Sequence, residues 1–356
     1  MGSIWGNLLK LSIFGESHGP GIGMVLDGFP AGVRLDPDQL AAFLRRRAPG
    51  RAAHATARKE SDRPRLLSGV LDGVSTGAPI ALVIENQNTR SGDYAALRFT
   101  PRPGHADYTG QVRYGGHNDL RGGGHFSGRL TAPLTAAGGL CLPFLSSHGV
   151  SVHAHIAQIG EICDEPAAQH AGGPALTDFP VYCREQGEAM QRLIAQAKEE
   201  GDSVGGVIEC TVTGLPAGLG SPMMDTVESR LSSLLFAVPA VKGVAFGDGF
   251  ALAGLRGSQA NDALGVDRLP PTNHNGGVLG GITNGAPVVF RAVIKPTPSI
   301  ARAQRTLDLS TGQMTDLHIQ GRHDPCIVPR AVPVMEAAAA LVCTDLWLEA
   351  YGYANS

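Results

Sequence analysis

The spacing of apolar residues predicts short strands near the beginning of the chain. Leu9, Leu11 and Ile13 alternate with other residues, and a period of two is typical of a strand with one buried face. Leu66–Val70 and Ile80–Ile84 are mostly apolar stretches of strand length. We therefore expect each of these three segments to form a strand.

A helical period begins after Asp36. Asp36-Pro37 combines a favourable N-cap residue with proline at the first helical position. Leu40, Phe43 and Leu44 then form an apolar stripe with helical spacing, which Pro49-Gly50 ends. Four further helices are predicted by amphipathic spacing, capping signals or an apolar composition: Leu130–Leu145, Glu185–Glu200, Met223–Leu235 and Val332–Leu348.

The strongest hairpin signal lies in the last third of the chain. Gly277–Thr283 and Val288–Lys295 are strand-like, and Asn284-Gly285 between them is a preferred hairpin turn. Val207–Thr213 predicts a further strand. Helices and strands do not alternate steadily, and no predicted strand leads through G-x-G-x-x-G into a helix. This pattern argues against a dinucleotide-binding Rossmann domain.

The organisation of the chain favours one domain over two. The sequence contains no internal repeat and no low-complexity linker, so we expect a single domain over residues 1–356. Residues 163–183 have the weakest periodicity and many turn-forming residues. We predict that they form a surface insertion.

Composition adds a core and a loop-built site to this picture. Hydrophobic residues make up 43% of the 356 positions, which is enough for a sizeable core. The 48 glycines indicate many tight turns and close backbone approaches. Aromatic residues make up only 5%, which argues against a nucleic-acid stacking surface. The net charge of −3 indicates no particular partner.

Cysteine usage and the start of the sequence favour a cytoplasmic protein. The six cysteines form no C-x-x-C pair and have no zinc-ligand spacing, so we expect reduced thiols. Met1–Leu11 lacks the regions of a signal peptide. No apolar run of about 18 residues is present, so no membrane span is expected.

The densest chemistry lies in two neighbouring motifs, Gly104–Asp107 and Arg121–Arg129. They bring histidines, arginines, an acid and several glycines into a segment with little apolar periodicity. Glycine lets backbone N–H groups approach an anion, arginine binds phosphate or carboxylate in a fork, and histidine moves protons near neutral pH. The segment is predicted to form the wall of a site for an anionic small molecule.

Two histidines are candidates for proton transfer. His18 lies between glycines at the end of a predicted strand, where it is either a general acid or part of a polar turn. His105 has an acid two residues away, Asp107, that can orient its ring. A metal site is a weaker alternative, because helical or paired ligand spacing is missing. Its ligands would be His117, Asp119 and His125.

A basic run extends from Arg45 to Arg65. It contains eight of the 29 lysines and arginines, opposed only by Glu60 and Asp62. Arg45–Arg47 end the first predicted helix, where cations complement the helix dipole. The remaining cations indicate a loop that reaches over a polyanion. Nucleic acid is a disfavoured alternative, because aromatic residues are not interleaved with the basic ones.

Three later motifs complete the chemical pattern. Val238–Gly243 followed by Phe246–Phe250 is most simply a helix end and a turn into a strand. Leu279–Gly281 and Lys295–Ser299 place glycines, a lysine and two hydroxyls at the ends of the predicted hairpin, which suits a phosphate. Gly321–Cys326 sets arginine, histidine and aspartate side by side before a helix, which argues against a purely structural role.

Together and in this order, the motifs resemble the chorismate synthase family. The resemblance runs from about Ile4 to Trp347, nearly the whole chain. The blocks that carry it are specific in combination: Phe14–Gly19, Arg102–Tyr108, Arg121–Gly124, Ala217–Gly220, Val241–Phe250, Leu279–Gly281, Lys295–Ile300 and Gly321–Pro333.

The resemblance implies an α+β fold, a β-α-β sandwich of antiparallel sheets and helices, assembled as a homotetramer. It also implies the last step of the shikimate pathway. In that step, 5-enolpyruvylshikimate 3-phosphate loses phosphate by anti-1,4-elimination and gives chorismate. The reaction has no net redox change yet requires reduced FMN, which lends electron density to the substrate and recovers it as the ring proton is lost.

The resemblance further implies residue roles. His18 is the acid beside the departing phosphate, His105 supplies a proton to the N1 region of the flavin, and Asp324 assists removal of the ring proton near N5. Arg47 holds the substrate phosphate, or NADPH in members that reduce their own flavin. The implied FMN contacts are His125, Phe126, Ser127, Ala240, Gly280, Lys295, Pro296, Thr297, Pro298, Ser299 and Arg322.

The chain departs from the family pattern in two places. Many relatives have Arg-Ser-Ser-Ala-Arg-Glu-Thr after the glycine triplet, where this chain has His125–Thr131. The second family arginine after Arg47 falls near Ala53-His54. We therefore predict an enzyme that depends on an external flavin reductase, with NADPH binding only if the enzyme is bifunctional.

Two other classes of protein remain as alternatives. One is a flavin- or phosphate-binding protein that has lost activity through the changes after the glycine triplet. The other is a nucleic-acid-binding protein that uses the basic run. The intact His18, His105 and Asp324 favour the enzyme over the first alternative, and the low aromatic content disfavours the second.

Overall fold

The computed structural model describes residues 2–48, 62–86, 96–319 and 324–353. Within these residues the strands, in chain order, are β1 (Ile4–Trp5), β2 (Lys10–Gly15), β3 (Gly21–Asp27), β4 (Arg65–Ser68), β5 (Val70–Leu71), β6 (Val74–Ser75), β7 (Ile80–Glu85), β8 (Ser151–Ile159), β9 (Ile162–Cys163), β10 (Gly206–Thr213), β11 (Val241–Phe246), β12 (Val278–Leu279), β13 (Ile282–Thr283), β14 (Val288–Ile294), β15 (Gln304–Asp308) and β16 (Gln313–Leu317). The α-helices are α1 (Pro37–Arg47), α2 (Asp107–Tyr114), α3 (Thr131–Ser147), α4 (Arg184–Glu199), α5 (Val227–Ala237), α6 (Gly257–Ala260) and α7 (Val328–Tyr351).

In the described part of the chain, two five-stranded antiparallel sheets enclose a helical layer. Their strand orders are β1-β2-β3-β7-β4 and β11-β14-β10-β8-β9. Helix α3 packs on β3 of the first sheet, α7 packs on β8 and β10 of the second, and the two helices pack on each other. Gly138 permits their close crossing, because a Cβ there would lie 2.3 Å from the Cα of Ala337. The predicted α+β architecture, a β-α-β sandwich, is confirmed.

The helical layer contains two long apolar segments. Gly128–Ser147 and Val328–Tyr351 are long and apolar enough to cross a membrane, which corrects the expectation that no such stretch exists. Inside the protein, 78% and 94% of their apolar windows are buried. Burial of this extent is typical of core helices, because both sheets cover them.

Local capping signals located helix α1 better than helix α5. Asp36 caps α1 as predicted, since its Oδ1 accepts hydrogen bonds from two backbone N–H groups of the first turn, at 2.8 and 3.3 Å. The helix predicted from Met223 instead begins at Val227. The Thr226 hydroxyl caps it by accepting a hydrogen bond from the backbone N–H of Ser229 at 2.9 Å.

The predicted hairpin turn at Asn284-Gly285 was wrong. Strands β12 and β13 pair across Gly280-Gly281, where both glycines have positive φ, at +62° and +87°. A two-residue turn with positive φ at both positions matches the twist of a hairpin. Thr283 also holds β13 beside the preceding loop, since its Oγ1 accepts from the backbone N–H of Leu219 at 2.9 Å and donates to the Pro216 carbonyl at 2.7 Å. Strand β14 pairs with β10 and β11 instead.

Residues 164–183 connect β9 to α4 in the region of the predicted surface insertion. Most of their side chains are exposed or half-buried. The Asp164 carboxylate accepts hydrogen bonds from the backbone N–H groups of Tyr182 at 2.7 Å and Cys183 at 2.8 Å, so the two ends of the segment meet. The insertion and the single-domain assignment stay predictions.

Asp345 fixes the N-terminal segment to helix α7. Its fully buried carboxylate accepts hydrogen bonds from three consecutive backbone N–H groups, Asn7–Leu9, at 2.8 to 2.9 Å. It also forms an ion pair with Arg230. The replacement Asp345→Ala would leave that guanidinium group buried beside three unsatisfied donors. We expect it to lower the free energy of unfolding by about 3–5 kcal/mol.

Denaturant unfolding monitored by circular dichroism measures this loss. Glu188→Ala is the control, because Glu188 pairs with Arg184 on an exposed face of α4, and exposed pairs of this kind contribute about 0.3–0.5 kcal/mol. Equal losses for both variants would contradict the anchoring role of Asp345.

Candidate functional site

A cavity of about 1370 Å³ opens where the ends of several elements meet. Residues after β2, the end of α1, residues 102–131, the connection from α5 to β11, residues 295–299 and the start of α7 contribute to its walls. Ligand pockets for one small molecule commonly measure about 300–1,000 Å³. The cavity therefore has room for two small molecules at once.

Permanent positive charge prevails in the cavity wall. Three carboxylates among the described lining residues, Glu16, Asp119 and Asp324, face a larger number of permanent cations. These cations are Arg47, Arg102, Arg129, Lys242, Lys295 and Arg330. Such a wall attracts a ligand with several negative charges, because charge-assisted hydrogen bonds to guanidinium and ammonium groups are strong. Residues from both motifs of the predicted anion site, Gly104–Asp107 and Arg121–Arg129, line this one cavity, and anion binding there stays a prediction.

Three consecutive glycines bring two histidines to this wall. Gly122, Gly123 and Gly124 have φ values of +61°, +84° and +53°, which favour glycine. A Cβ on Gly122 would lie 2.5 Å from Cδ2 of His18, and one on Gly123 would lie 3.3 Å from Cε1 of His105. A residue larger than glycine at position 122 would displace the His18 ring, and one at position 123 would press against the His105 ring. The glycine triplet therefore sets the positions of both rings.

His105 is oriented by Asp107, as the sequence predicted. The carboxylate Oδ1 lies 2.7 Å from Nδ1 of the ring. Arg102 Nη2 is 3.0 Å from the same nitrogen, but it already donates to Asp107 at 2.7 Å. An ionised carboxylate only accepts hydrogen bonds, so we assign the proton to Nδ1. Nε2 is then the nitrogen that remains for a ligand.

Asp107 stays ionised at the base of this arrangement. Its side chain is buried, and burial alone would raise the pKa of Asp107. Hydrogen bonds from Arg102 and His105 outweigh that effect and hold the pKa well below its usual range. Arg102 donates to the carboxylate through Nε as well as Nη2, both at 2.7 Å. The negative charge is thus permanent and can stabilise a protonated His105.

His18 is held by the turn that follows β2. The residue is only 9% exposed, and its ring packs against the glycine triplet while lining the cavity. The backbone N–H of Ser17 donates to the Gly124 carbonyl at 3.1 Å, which ties the turn to the triplet. A buried, positioned imidazole next to an anion-binding wall suits a general acid.

Arg47 and Asp324 lie in one cluster of charges at another part of the wall. Arg330 donates through Nε to the Arg47 carbonyl at 3.0 Å and forms an ion pair with Asp324. Arg47 itself donates to Asp62 and, at 3.0 Å, to Thr131 Oγ1. Burial lowers the pKa of Arg47 to about 10, although the charge of Asp62 opposes this effect. Arg47 therefore stays protonated at neutral pH.

The predicted flavin contacts divide into residues at the cavity and residues elsewhere. Those that line the cavity are His125, Phe126, Ser127, Ala240, Lys295, Thr297, Pro298 and Ser299. Gly280 lies at the tip of the β12–β13 hairpin, and neither it nor Pro296 is among the described lining residues. Arg322 lies outside the described residues, as do Ala53-His54 and most of the basic run.

The side chain of His125 is engaged within the protein. Its Nδ1 lies 2.8 Å from the Gly15 carbonyl, which can only accept a hydrogen bond, and its Nε2 lies 3.0 Å from Ser3 Oγ. Asp119 binds Arg121 through both carboxylate oxygens, at 2.8 and 2.9 Å. Within the described residues, no group of three potential metal ligands is assembled. In the described structure, these contacts direct His125 and Asp119 to other protein groups, so the alternative metal site of His117, Asp119 and His125 is not formed.

Several polar atoms of the wall fit a flavin. Both amide atoms of Asn118 and Oγ1 of Thr297 are buried at the cavity without a hydrogen-bond partner among the described residues. An amide supplies one donor group and one acceptor, which the pyrimidine edge of a flavin requires. Ala240 has a φ of +76°, a conformation that non-glycine residues keep mainly where a site demands it. The donor set and the space suit FMN.

Sequence reasoning found some members of the site and missed others. The spacing of His105 and Asp107 revealed their pairing. Asp62 and Arg330 were not assigned to the site, because both contact Arg47, which lies 15 and 283 residues away along the chain, and no local pattern marks such contacts. Asn118 was missed because a single asparagine in a loop carries no signal of its own.

Known proteins resemble the chain over nearly its whole length. Residues 9–348 match the chorismate synthase family. A chorismate synthase of Dehalococcoides mccartyi is 45% identical over 355 residues, 98% of each chain. One of Thermococcus kodakarensis is 46% identical over 345 residues, 96% of each chain. A crystal structure of a chorismate synthase has a TM-score of 0.74 and 28% identity, covering 98% of this chain and 94% of that one.

Proposed function

The chain belongs to the chorismate synthase family, and from this premise we propose that it is a lyase that converts 5-enolpyruvylshikimate 3-phosphate into chorismate and phosphate by anti-1,4-elimination. This is the last step of the shikimate pathway. The observation that carries the proposal is the pair of histidines, His18 and His105, which pack on adjacent glycines in a cavity of prevailing positive charge. The substrate bears one phosphate and two carboxylates, which require such a wall.

The proposal includes FMN in its reduced form as the cofactor. When bound, reduced FMN supplies electron density to the substrate and recovers it, without net redox change. Candidate contacts are the cavity residues around Ser127, Ala240 and Lys295–Ser299, together with Asn118. Lys295 donates a hydrogen bond to the Gly104 carbonyl, which places a permanent cation next to the loop that carries His105.

The residues of the wall divide the proton chemistry among them. His18 gives a proton to the oxygen of the departing phosphate. His105 holds a proton at Nε2 while the ionised Asp107 stabilises the resulting positive charge. Asp324, whose carboxylate is oriented by Arg330, accepts the ring proton. Arg47 binds the substrate phosphate through charge-assisted hydrogen bonds.

An anaerobic assay tests the proposal. The protein is mixed with FMN reduced by dithionite and with the phosphorylated substrate, and released phosphate and chorismate are measured together. We expect both products in equal amounts. Flavin binding without phosphate release would favour the non-enzymatic flavin-binding alternative instead.

The same assay distinguishes two modes of flavin reduction. The departure at Ala53-His54 leads us to propose an enzyme that relies on an external flavin reductase. We expect no chorismate when NADPH and oxidised FMN replace the dithionite-reduced flavin under strict anaerobiosis. Addition of a separate flavin reductase should restore turnover. Chorismate formation with NADPH alone would show that the enzyme is bifunctional and would contradict this proposal.

The proposal extends to assembly and location. We propose a homotetramer in the cytoplasm, acting on a small-molecule substrate. Analytical ultracentrifugation of the purified chain tests the assembly, and a monomer at micromolar concentration would contradict it.

A further inference from the structure

One buried carboxylate bridges two arginines of the cavity wall. The two oxygens of Asp62 bind different guanidinium groups, Oδ2 that of Arg47 and Oδ1 that of Arg129. The side chains are nearly inaccessible to solvent, with exposures of 1% for Asp62, 3% for Arg47 and 4% for Arg129. Asp62 therefore sets the distance and orientation between the two cations.

The two arginines reach the cavity, and the carboxylate that they share is buried. Arg47 and Arg129 line the cavity, whereas Asp62 is not among the described lining residues. Each arginine is further oriented through its Nε. Arg47 Nε donates to Thr131 Oγ1 at 3.0 Å, and Arg129 Nε donates to Asn86 Oδ1 at 3.1 Å. The shared carboxylate and the two Nε hydrogen bonds together fix the planes of both guanidinium groups.

The charges of the two arginines favour a carboxylate between them. Two guanidinium groups held side by side in a poorly hydrated wall repel each other, and a carboxylate between them offsets that repulsion. Burial alone would raise the pKa of Asp62, but Arg47 and Arg129 hold it below its usual range, so the group stays ionised. Asp62 also keeps a φ of +43°, which residues other than glycine rarely adopt. Strained backbone of this kind is concentrated at functional sites.

We propose that Asp62 is a positioning residue for substrate binding, which holds Arg47 and Arg129 as a paired clamp for the phosphate of the substrate. The inference rests on the proposed function. It adds Arg129 to the phosphate site and explains why an acid is needed there. A phosphate offers several acceptor oxygens and two negative charges, which two adjacent guanidinium groups match.

The test compares Asp62→Asn with Glu336→Gln. Asparagine keeps the shape but removes the charge and turns one acceptor into a donor. Glu336 is a matched control, because it is also buried and binds Arg46, the neighbour of Arg47, through both carboxylate oxygens, at 2.6 and 3.0 Å. Unlike Arg47, neither Arg46 nor Glu336 is among the described residues that line the cavity. Calorimetry measures binding of the phosphorylated substrate and of FMN, and steady-state assays with reduced FMN give KM and kcat.

We expect Asp62→Asn to raise the substrate Kd and KM by about tenfold or more, with kcat changed much less, because uniform binding is lost. FMN affinity should stay near that of the unmodified protein, and Glu336→Gln should alter neither ligand's affinity. An unchanged substrate Kd in folded Asp62→Asn would overturn the proposal. A lower Kd would overturn it as well, because Asp62 would then compete with the substrate for the arginines.

Two further results keep the inference separate from the function it rests on. If the unmodified protein binds neither substrate nor FMN, the proposed function fails. If Asp62→Asn does not fold by circular dichroism, Asp62→Glu replaces it: the carboxylate then lies one methylene further out and should separate the two guanidinium groups. An unchanged substrate Kd in Asp62→Glu would overturn the clamp.

Discussion

Replacement of His18 by alanine is expected to lower kcat by about 10²–10⁴-fold, the usual contribution of a positioned general acid. The phosphate leaves from carbon as a highly charged oxyanion, so a proton donated to its oxygen in the transition state stabilises the charge that develops. The His18 ring is 9% exposed and packs on Gly122 at the cavity wall. Water admitted by alanine supplies a proton donor that is not positioned beside the leaving oxygen.

Which kinetic constants change in His18→Ala is as informative as how far kcat falls. An interaction made only in the transition state lowers kcat and kcat/KM together, so KM should change little. Stopped assays with reduced FMN measure both constants. His170→Ala is the control, since His170 stacks on Tyr182 outside the described lining residues, and we expect its kcat to stay within about twofold. A loss below tenfold in His18→Ala would rule out the assigned role.

The comparison of sequence and structure shows what a local pattern can and cannot reveal. Asp36 caps α1 through backbone groups within the next three residues, and Asp107 orients a histidine two residues away. Both interactions are set by spacing along the chain, so both were predicted. The α+β class followed in the same way, through the family resemblance of the motifs and the irregular order of helices and strands.

The missed features depend on tertiary contacts. The β12–β13 hairpin turns at Gly280-Gly281, and Thr283 of this hairpin binds the loop around Leu219, more than sixty residues earlier. The Asp62 bridge joins parts of the chain that are 15 and 67 residues apart. The partners of the His125 ring, the Gly15 carbonyl and the Ser3 hydroxyl, were not foreseeable from its motif.

These tertiary contacts also explain how the departure after the glycine triplet is accommodated. His125 occupies a position where the family pattern has arginine. Its ring forms hydrogen bonds with Ser3 in the N-terminal segment and with Gly15 at the end of β2. Arg129, the other arginine position of that motif, is retained and bound by Asp62. The chain thus keeps its permanent charge on the side of the cavity that faces Arg47, where we propose that the substrate phosphate binds.

Replacement of Asp107 by asparagine is expected to lower kcat by about 10²–10⁴-fold, although Asp107 touches no ligand in the proposed reaction. The ionised carboxylate accepts the Nδ1 proton of His105 at 2.7 Å and so orients the ring, whereas a neutral amide oxygen accepts that proton more weakly. Loss of the negative charge also destabilises protonated His105.

A double-mutant cycle separates this positioning role from general damage to the site. Asp107 is also bound by Arg102 through Nε and Nη2, so its loss could disturb the wall independently of His105. If Asp107 acts through the histidine, His105→Ala alone should be as slow as Asp107→Asn, and the double variant should be little slower than either. Anaerobic kcat values and thermal unfolding of all four proteins test this. A second, independent loss of rate when Asp107→Asn is added to His105→Ala would show that the acid serves the site through Arg102 instead, because no imidazole is left for it to orient.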